Sequence, residues 1–169
     1  KTPANQTSGP IIAGGKIISG RSCTPRGGPD ACVITAHDAR TGGELWRTRT
    51  IPAPGEPGDE TWGDVPFEER KHVGAWMVPS YDPMLNLIYI GTSVTSPAPK
   101  FMLGGTDKKH LYHNSTLALD ADTGERCADF ADNGMLNVNQ WNDTNDRWPL
   151  SLLQPPTVVG DHLIVGWAG

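Results

Sequence analysis

Ala36 to Gly42 (AHDARTG) and Ala118 to Gly124 (ALDADTG) are two copies of one pattern, Ala-x-Asp-x-x-Thr-Gly, set 82 residues apart. An aspartate just ahead of Thr-Gly is turn chemistry. Its carboxylate accepts the backbone N–H groups that follow, and the glycine tolerates the positive φ that closes the turn. Each copy therefore predicts a hairpin corner. Trp46 follows the first corner by four residues and falls on the outgoing outer strand. A large flat ring placed there is expected to pack against backbone presented by the next repeat and weld adjacent sheets. The second copy keeps every signature residue except this tryptophan.

A second repetition supports the first. GPIIAGGKIISG (residues 9–20) and PPTVVGDHLIVG (residues 155–166) share a proline, a turn glycine and a closing glycine, and each reads as strand, turn, strand. CVITAHD (residues 32–38) reads as the next strand. In YDPMLNLIYIGTS a turn at Asp82-Pro83 leads into Leu87–Ile90, which is apolar on both alternations and is expected to be buried on both faces. STLALDADTG (residues 115–124) is a further strand and turn. No window of a dozen residues shows helical apolar spacing without an intervening Gly or Pro. Repeated four-stranded sheets with a corner motif in each predict an all-β chain of β-propeller blades, with a sandwich as the runner-up. The motifs amount to about three blades, fewer than the ~4–8 that close a ring.

Composition narrows the function classes. The chain of 169 residues is long enough to build a core without metal or disulfide, and 20 Gly with 15 Pro suit a turn-rich β protein. Fourteen basic residues against nineteen acidic ones give a net charge of −5, with no basic run beyond pairs such as Lys108-Lys109. That argues against a nucleic-acid partner. No apolar run approaches the ~18 residues that span a bilayer, so no membrane span is expected. Cys23 and Cys32 bracket CTPRGGPDAC, whose ends either meet in a disulfide or stay two buried thiols, and Cys127 is left over. His110-x-x-His113 reads as loop rather than as a metal pair. Asp143, Asn145 and Asp146 lack the downstream Gly and Glu of a calcium loop and also read as solvated loop. Hydrolase, phosphate-loop and zinc-ribbon patterns are missing.

Ala-x-Asp-x-x-Thr-Gly-x-x-x-Trp resembles the tryptophan-docking motif of the quinoprotein alcohol dehydrogenases, eight-bladed propellers that use pyrroloquinoline quinone. Further segments match in order. Thr7-Ser8-Gly9-Pro10 is similar to the family's Thr-x-x-Pro entry to the hairpin, and Gly20-Arg21-Ser22 to its Gly-x-Ser exit. AWMVPSYDPMLNLIYIGT (residues 75–92) resembles its Trp-x-x-x-x-Tyr-Asp-Pro run, and SPAPKF its Pro-Ala-Pro loop. The resemblance implies that Thr7 and Ser22 hydrogen-bond cofactor carboxylates and that Trp76 forms the floor beneath the quinone ring. On spacing alone Trp76 reads as a core aromatic, and Thr7 and Ser22 as turn residues. A planar tricyclic acid needs an aromatic face and rim donors to offset lost water, which suits these residue types.

The family reading also carries expectations that these residues meet only in part. It implies calcium or a lanthanide beside the quinone, held by a Glu three residues past the Ser and an Asn eighteen past the Trp. Pro25 and Val94 stand there, and neither supplies a side-chain oxygen. Asp30, in the loop with a local insertion, is the candidate substitute for the Glu. The family's catalytic base and adjacent-cysteine disulfide fall in segments that these residues do not contain, so no catalytic residue is assigned. Residues 1–124 are the most family-like part of a partial propeller domain spanning 1–169. ERCADFADNG, within 125–169, looks like an earlier blade of membrane-type relatives, so either blade order differs or the chain is an incomplete portion. The expected function is oxidation of a small alcohol to an aldehyde, with electrons leaving for a cytochrome in the periplasm or another extracytoplasmic compartment. The alternative is a non-enzymatic propeller scaffold whose cofactor site has degenerated.

Overall fold

The computed structural model describes residues 8–22, 28–70, 73–93, 110–138, 151–152 and 154–168. Strands β1 (Ile11–Ala13), β2 (Lys16–Gly20), β3 (Val33–Asp38) and β4 (Glu44–Arg49) form one antiparallel sheet in sequence order. Strands β5 (Ser80–Asp82), β6 (Leu87–Gly91), β7 (Ser115–Asp120) and β8 (Met135–Asn137) form a second with the same order. The third unit is partial: a hairpin of β10 (Thr157–Val159) and β11 (His162–Ile164), and a short pair of β9 (Ser151–Leu152) with β12 (Trp167–Ala168). These are propeller blades, two complete and one in part.

The two corners superimpose in chemistry. Asp38 Oδ1 accepts the N–H groups of Arg40 (2.9 Å) and Thr41 (2.7 Å) and the Thr41 hydroxyl (3.0 Å). Asp120 Oδ1 does the same for Asp122 (2.9 Å), Thr123 (2.8 Å) and the Thr123 hydroxyl (3.1 Å). Gly42 and Gly124 have φ of 72° and 73°, a conformation open to glycine. After its corner the second sheet departs from the first. Arg126 makes a single bridge to Leu119, the chain turns through Phe130 and Gly134, and only then does β8 resume. The outer strand is split at the point where the first sheet carries Trp46, and Ala128 occupies the tryptophan's place, exposed.

Both faces of the second sheet are covered. Ile88, Ile90, Leu117 and Leu119 meet Ile18, Ile34, Ala36 and Trp46 of the first sheet. On the other side Leu87, Tyr89 and Ala118 receive Phe130 and the hairpin residues Val158 and Leu163. The tilted Tyr89 and Phe130 rings lie 5.5 Å apart and fill the junction that lacks an indole. β6 is buried at every position, as its unbroken apolar run requires. Each such side chain contributes ~1.5–3 kcal/mol when removed from water, so the core lies between stacked sheets.

Residues 50–70 leave the sheets and fold around two groups. Trp62 is fully buried and its indole N–H donates to the Leu111 carbonyl at 2.7 Å. Arg70 donates to the carbonyls of Pro52 (2.9 Å) and Val65 (3.2 Å), pairs with Asp59 at 2.7 Å and lies 5.5 Å from the Trp62 ring centroid. His110 and His113 pack on the same indole with centroids at 4.9 and 5.6 Å. The His-x-x-His loop therefore wraps a buried aromatic, with His110 fully covered. Asp143, Asn145 and Asp146 lie outside the described residues.

Candidate cofactor platform

The segment Val73 to Val78 runs along the ends of both complete sheets and is sutured to each. On the first-sheet side, Ala75 N–H donates to the Arg21 carbonyl at 3.0 Å, and the Ser8 hydroxyl donates to the Met77 carbonyl at 2.8 Å. On the second-sheet side, Gly74 and Ser93 exchange hydrogen bonds: Gly74 N–H to Ser93 Oγ at 3.0 Å and Ser93 N–H to the Gly74 carbonyl at 2.8 Å. Ser93 follows Thr92, at the exit of β6. Its position is fixed because Thr92 Oγ1 accepts the Ser115 N–H at 3.0 Å and donates to the Tyr112 carbonyl.

Gly20, the last residue of β2, makes this docking possible. A Cβ there would stand 2.0 Å from the Ala75 carbonyl oxygen, far inside contact distance, so only glycine lets the two backbones meet. With the backbone so held, side-chain burial alternates. Ala75 and Met77 are buried at 0% and 2%, whereas Trp76 is 39% exposed. The Trp76 indole is thus a flat apolar surface presented on a segment whose backbone is hydrogen-bonded on both sides. Such a ring can stack a planar heterocycle without moving its support.

Of the three site residues expected from the sequence, Ser22 and Trp76 lie within the described residues. Ser22 is half-buried and directly follows Arg21, whose carbonyl holds Ala75. Thr7 lies outside the described residues, while Ser8 beside it holds Met77. The bonds that flank Trp76 end on Arg21 and Ser8, which adjoin Ser22 and Thr7 in the sequence. Gly20, Ala75 and Ser93 escaped the sequence reading. The Gly-x-Ser step contained the signal for Gly20, but the partner of that close approach, 55 residues on, is not visible in sequence.

The metal side is different. Pro25, Val94 and Cys23 lie outside the described residues. Asp30, the candidate substitute ligand, is exposed and sits with Oδ1 3.4 Å from both Nε and Nη2 of Arg49. Among the described residues no three His, Cys, Asp or Glu side chains converge to hold an ion. Cys32 is buried, and Cys127 is the free cysteine among the described residues. Asn114, one of three Asn-x-Ser/Thr sites in the sequence, is only 2% exposed and so is closed to glycan attachment in the folded chain.

Stacked four-stranded sheets with repeated corners define β-propeller material. Residues 1–126 and 111–169 match the family model described as PQQ: glucose/ethanol/alcohol dehydrogenase, beta-propeller domain. The chain belongs to that family. It is 36% identical over 135 residues to quinohemoprotein alcohol dehydrogenase ADH-IIG of Pseudomonas putida, which covers 70% of this chain and 18% of the relative. It is 31% identical over 173 residues to the quinohemoprotein alcohol dehydrogenase of Comamonas testosteroni, 95% of this chain and 22% of that one. The solved structure of the Pseudomonas putida enzyme superposes with a TM-score of 0.61 at 31% identity, over 72% of this chain and 19% of that one. The Comamonas testosteroni structure, at 23% identity, supports the fold alone, with a TM-score of 0.65 over 96% of this chain and 25% of that one. The chain thus spans about a fifth of the length of the curated relatives it matches. Among the described residues no helix is long and apolar enough to cross a membrane.

Proposed function

We propose that this chain is part of a pyrroloquinoline quinone-dependent dehydrogenase that oxidises a small alcohol to an aldehyde and passes electrons to a cytochrome. Its place would be the periplasm or another extracytoplasmic compartment, within a ring of eight blades. The observation that carries the reading is Trp76: an indole 39% exposed between buried neighbours, on backbone tied to the residues beside Thr7 and Ser22. The bound quinone would supply the two-electron acceptor for the alcohol's hydride. The residues of this chain do other work. Trp76 stacks beneath the planar ligand, the hydroxyls of Thr7 and Ser22 hydrogen-bond its carboxylates, and Gly20 keeps the floor segment close to the sheet. The proton acceptor is assigned to no residue of this chain. A Cys23–Cys32 disulfide closing the loop after Ser22 belongs to the same proposal and to an oxidising compartment.

The test is direct. Full-length protein is titrated with pyrroloquinoline quinone while indole emission is followed, and dye reduction is measured with short alcohols. Quenching that disappears in Trp76→Ala supports the platform. A second reading, a non-enzymatic propeller scaffold, is favoured by Pro25 and Val94, and it predicts neither quenching nor dye reduction under any ionic condition.

A further inference from the structure

The residues of this chain fit the flat face of the cofactor and do not fit the cation expected beside it. Hard cations such as calcium take about six to eight oxygens, with carboxylates tuning the affinity. The two positions at which the resemblance expects oxygen ligands hold Pro25 and Val94, whose side chains have none. The described groups nearest them in the sequence are already engaged. Asp30, in the same loop as Pro25, faces the Arg49 guanidinium at 3.4 Å, and Arg49 also approaches Glu56 at 4.0 Å. Beside Val94, Ser93 Oγ accepts the Gly74 N–H, and Thr92 Oγ1 bonds to backbone groups of Tyr112 and Ser115. The Ser93 hydroxyl holds the floor segment and the Thr92 hydroxyl holds the start of β7, so turning either to a cation would break a bond that the fold uses.

We propose that the described residues of this chain, together with Pro25 and Val94, contribute no metal ligand to the site, and that the quinone is held at Trp76 by stacking and hydrogen bonds without help from a hard cation. The inference rests on Trp76 being the platform. Its consequence is that cofactor binding by the full-length protein is insensitive to chelators, and that restoring one oxygen donor creates a calcium response that the natural sequence lacks.

Full-length protein stripped with EDTA is titrated with pyrroloquinoline quinone, following the emission lost in Trp76→Ala, and the titration is repeated with calcium and with lanthanum. The midpoint is expected to agree within about twofold across the three conditions. Val94→Asn, and separately Pro25→Glu, are expected to tighten the calcium-containing midpoint by ~10-fold or more. Quenching by the natural protein that needs calcium or lanthanum keeps Trp76 as the platform and overturns this inference. So does the failure of both variants to gain any calcium response. Absence of quenching under every condition overturns the platform itself and the inference with it.

Discussion

The ring of Trp46 occupies the space a side chain at Gly124 would need: a Cβ there would stand 2.5 Å from Cε3 and 2.6 Å from Cδ2 of the indole. The same indole N–H donates to the Ala121 carbonyl at 3.2 Å, and Thr48 Oγ1 donates to the Gly124 carbonyl at 2.6 Å. Lys16 reaches Asp122 at 2.6 Å. The second corner is therefore both a turn and a receptor for the first sheet. The first corner, Ala39 to Gly42, has the same internal bonds and is exposed.

That pairing gives a matched comparison. Gly42 and Gly124 share their backbone conformation, but a Cβ at Gly42 meets nothing within 4 Å. By the contacts within this chain, Gly42→Ala should cost the left-handed penalty alone, ~1–2 kcal/mol. Gly124→Ala should cost that and a further ~1–3 kcal/mol from overpacking against the indole. Urea unfolding of the two variants checks the difference, and equal losses would mean that Trp46 is free to move aside.

Gly20→Ala tests the floor. Its Cβ would meet the Ala75 carbonyl, which is backbone, so the floor segment has to shift rather than a flexible side-chain end. The expected result is a loss of ~1–3 kcal/mol in stability together with weaker quinone binding, since Trp76 is carried on the displaced segment. Unfolding and fluorescence titrations of the same sample check both. A variant that is destabilised yet binds the quinone as before would uncouple Gly20 from the platform.

The corners and hairpins were legible in sequence because their chemistry is local. Asp38 and Asp120 bond only two and three residues ahead, and the strands of residues 9–20 and 155–166 alternate around glycine turns. β6 was legible as an apolar run. The landing site of Trp46 was legible only as backbone of the next repeat; Ala121 and Gly124 lie 75 and 78 residues away and needed the fold. Trp62 and Arg70 left no periodic trace, since their partners are isolated carbonyls such as Leu111, 49 residues from Trp62. The split outer strand at Cys127 to Gly134 was hidden for a similar reason. Phe130 is apolar in a turn, and only the arrival of Val158 and Leu163 explains it.

Acid should weaken the fold through the carboxylates that structure its turns. Backbone N–H of Gly55 first, and the Arg70 guanidinium second, hold Asp59 below the usual value of 3.8. Asp38 is lowered by the N–H groups of Thr41 and Arg40, and Asp122 by its bond to Lys16. A folded pKa below the unfolded one means that the native state binds fewer protons in that interval. The stabilisation is complete above the unfolded value and is lost as pH falls through the folded one. The urea midpoint should therefore hold from neutral pH to about 5 and fall below about 4. Asp59→Asn should be less stable at neutral pH and decline less steeply in acid, because its turn and its Arg70 contact no longer titrate. An acid slope unchanged in this variant would place the titration elsewhere.

Trp46 and Trp76 are both tryptophans in family-like segments, and their substitutions should separate stability from binding. Trp46 is 8% exposed with its N–H satisfied by the second sheet, so Trp46→Ala opens a cavity at the sheet junction and should cost ~3–5 kcal/mol. Trp76 is 39% exposed and makes no indole N–H bond of this kind to the described residues, while the backbone on either side is held by Arg21 and Ser8. Trp76→Ala leaves those backbone bonds intact and should cost under ~1 kcal/mol, while removing the stacking surface proposed for the quinone. Thermal unfolding with and without pyrroloquinoline quinone reads both effects at once. The natural protein should melt higher with the cofactor, and Trp76→Ala should melt near the natural apoprotein and gain nothing on its addition. If Trp76→Ala instead unfolds as readily as Trp46→Ala, the indole is a structural wedge and the platform is lost.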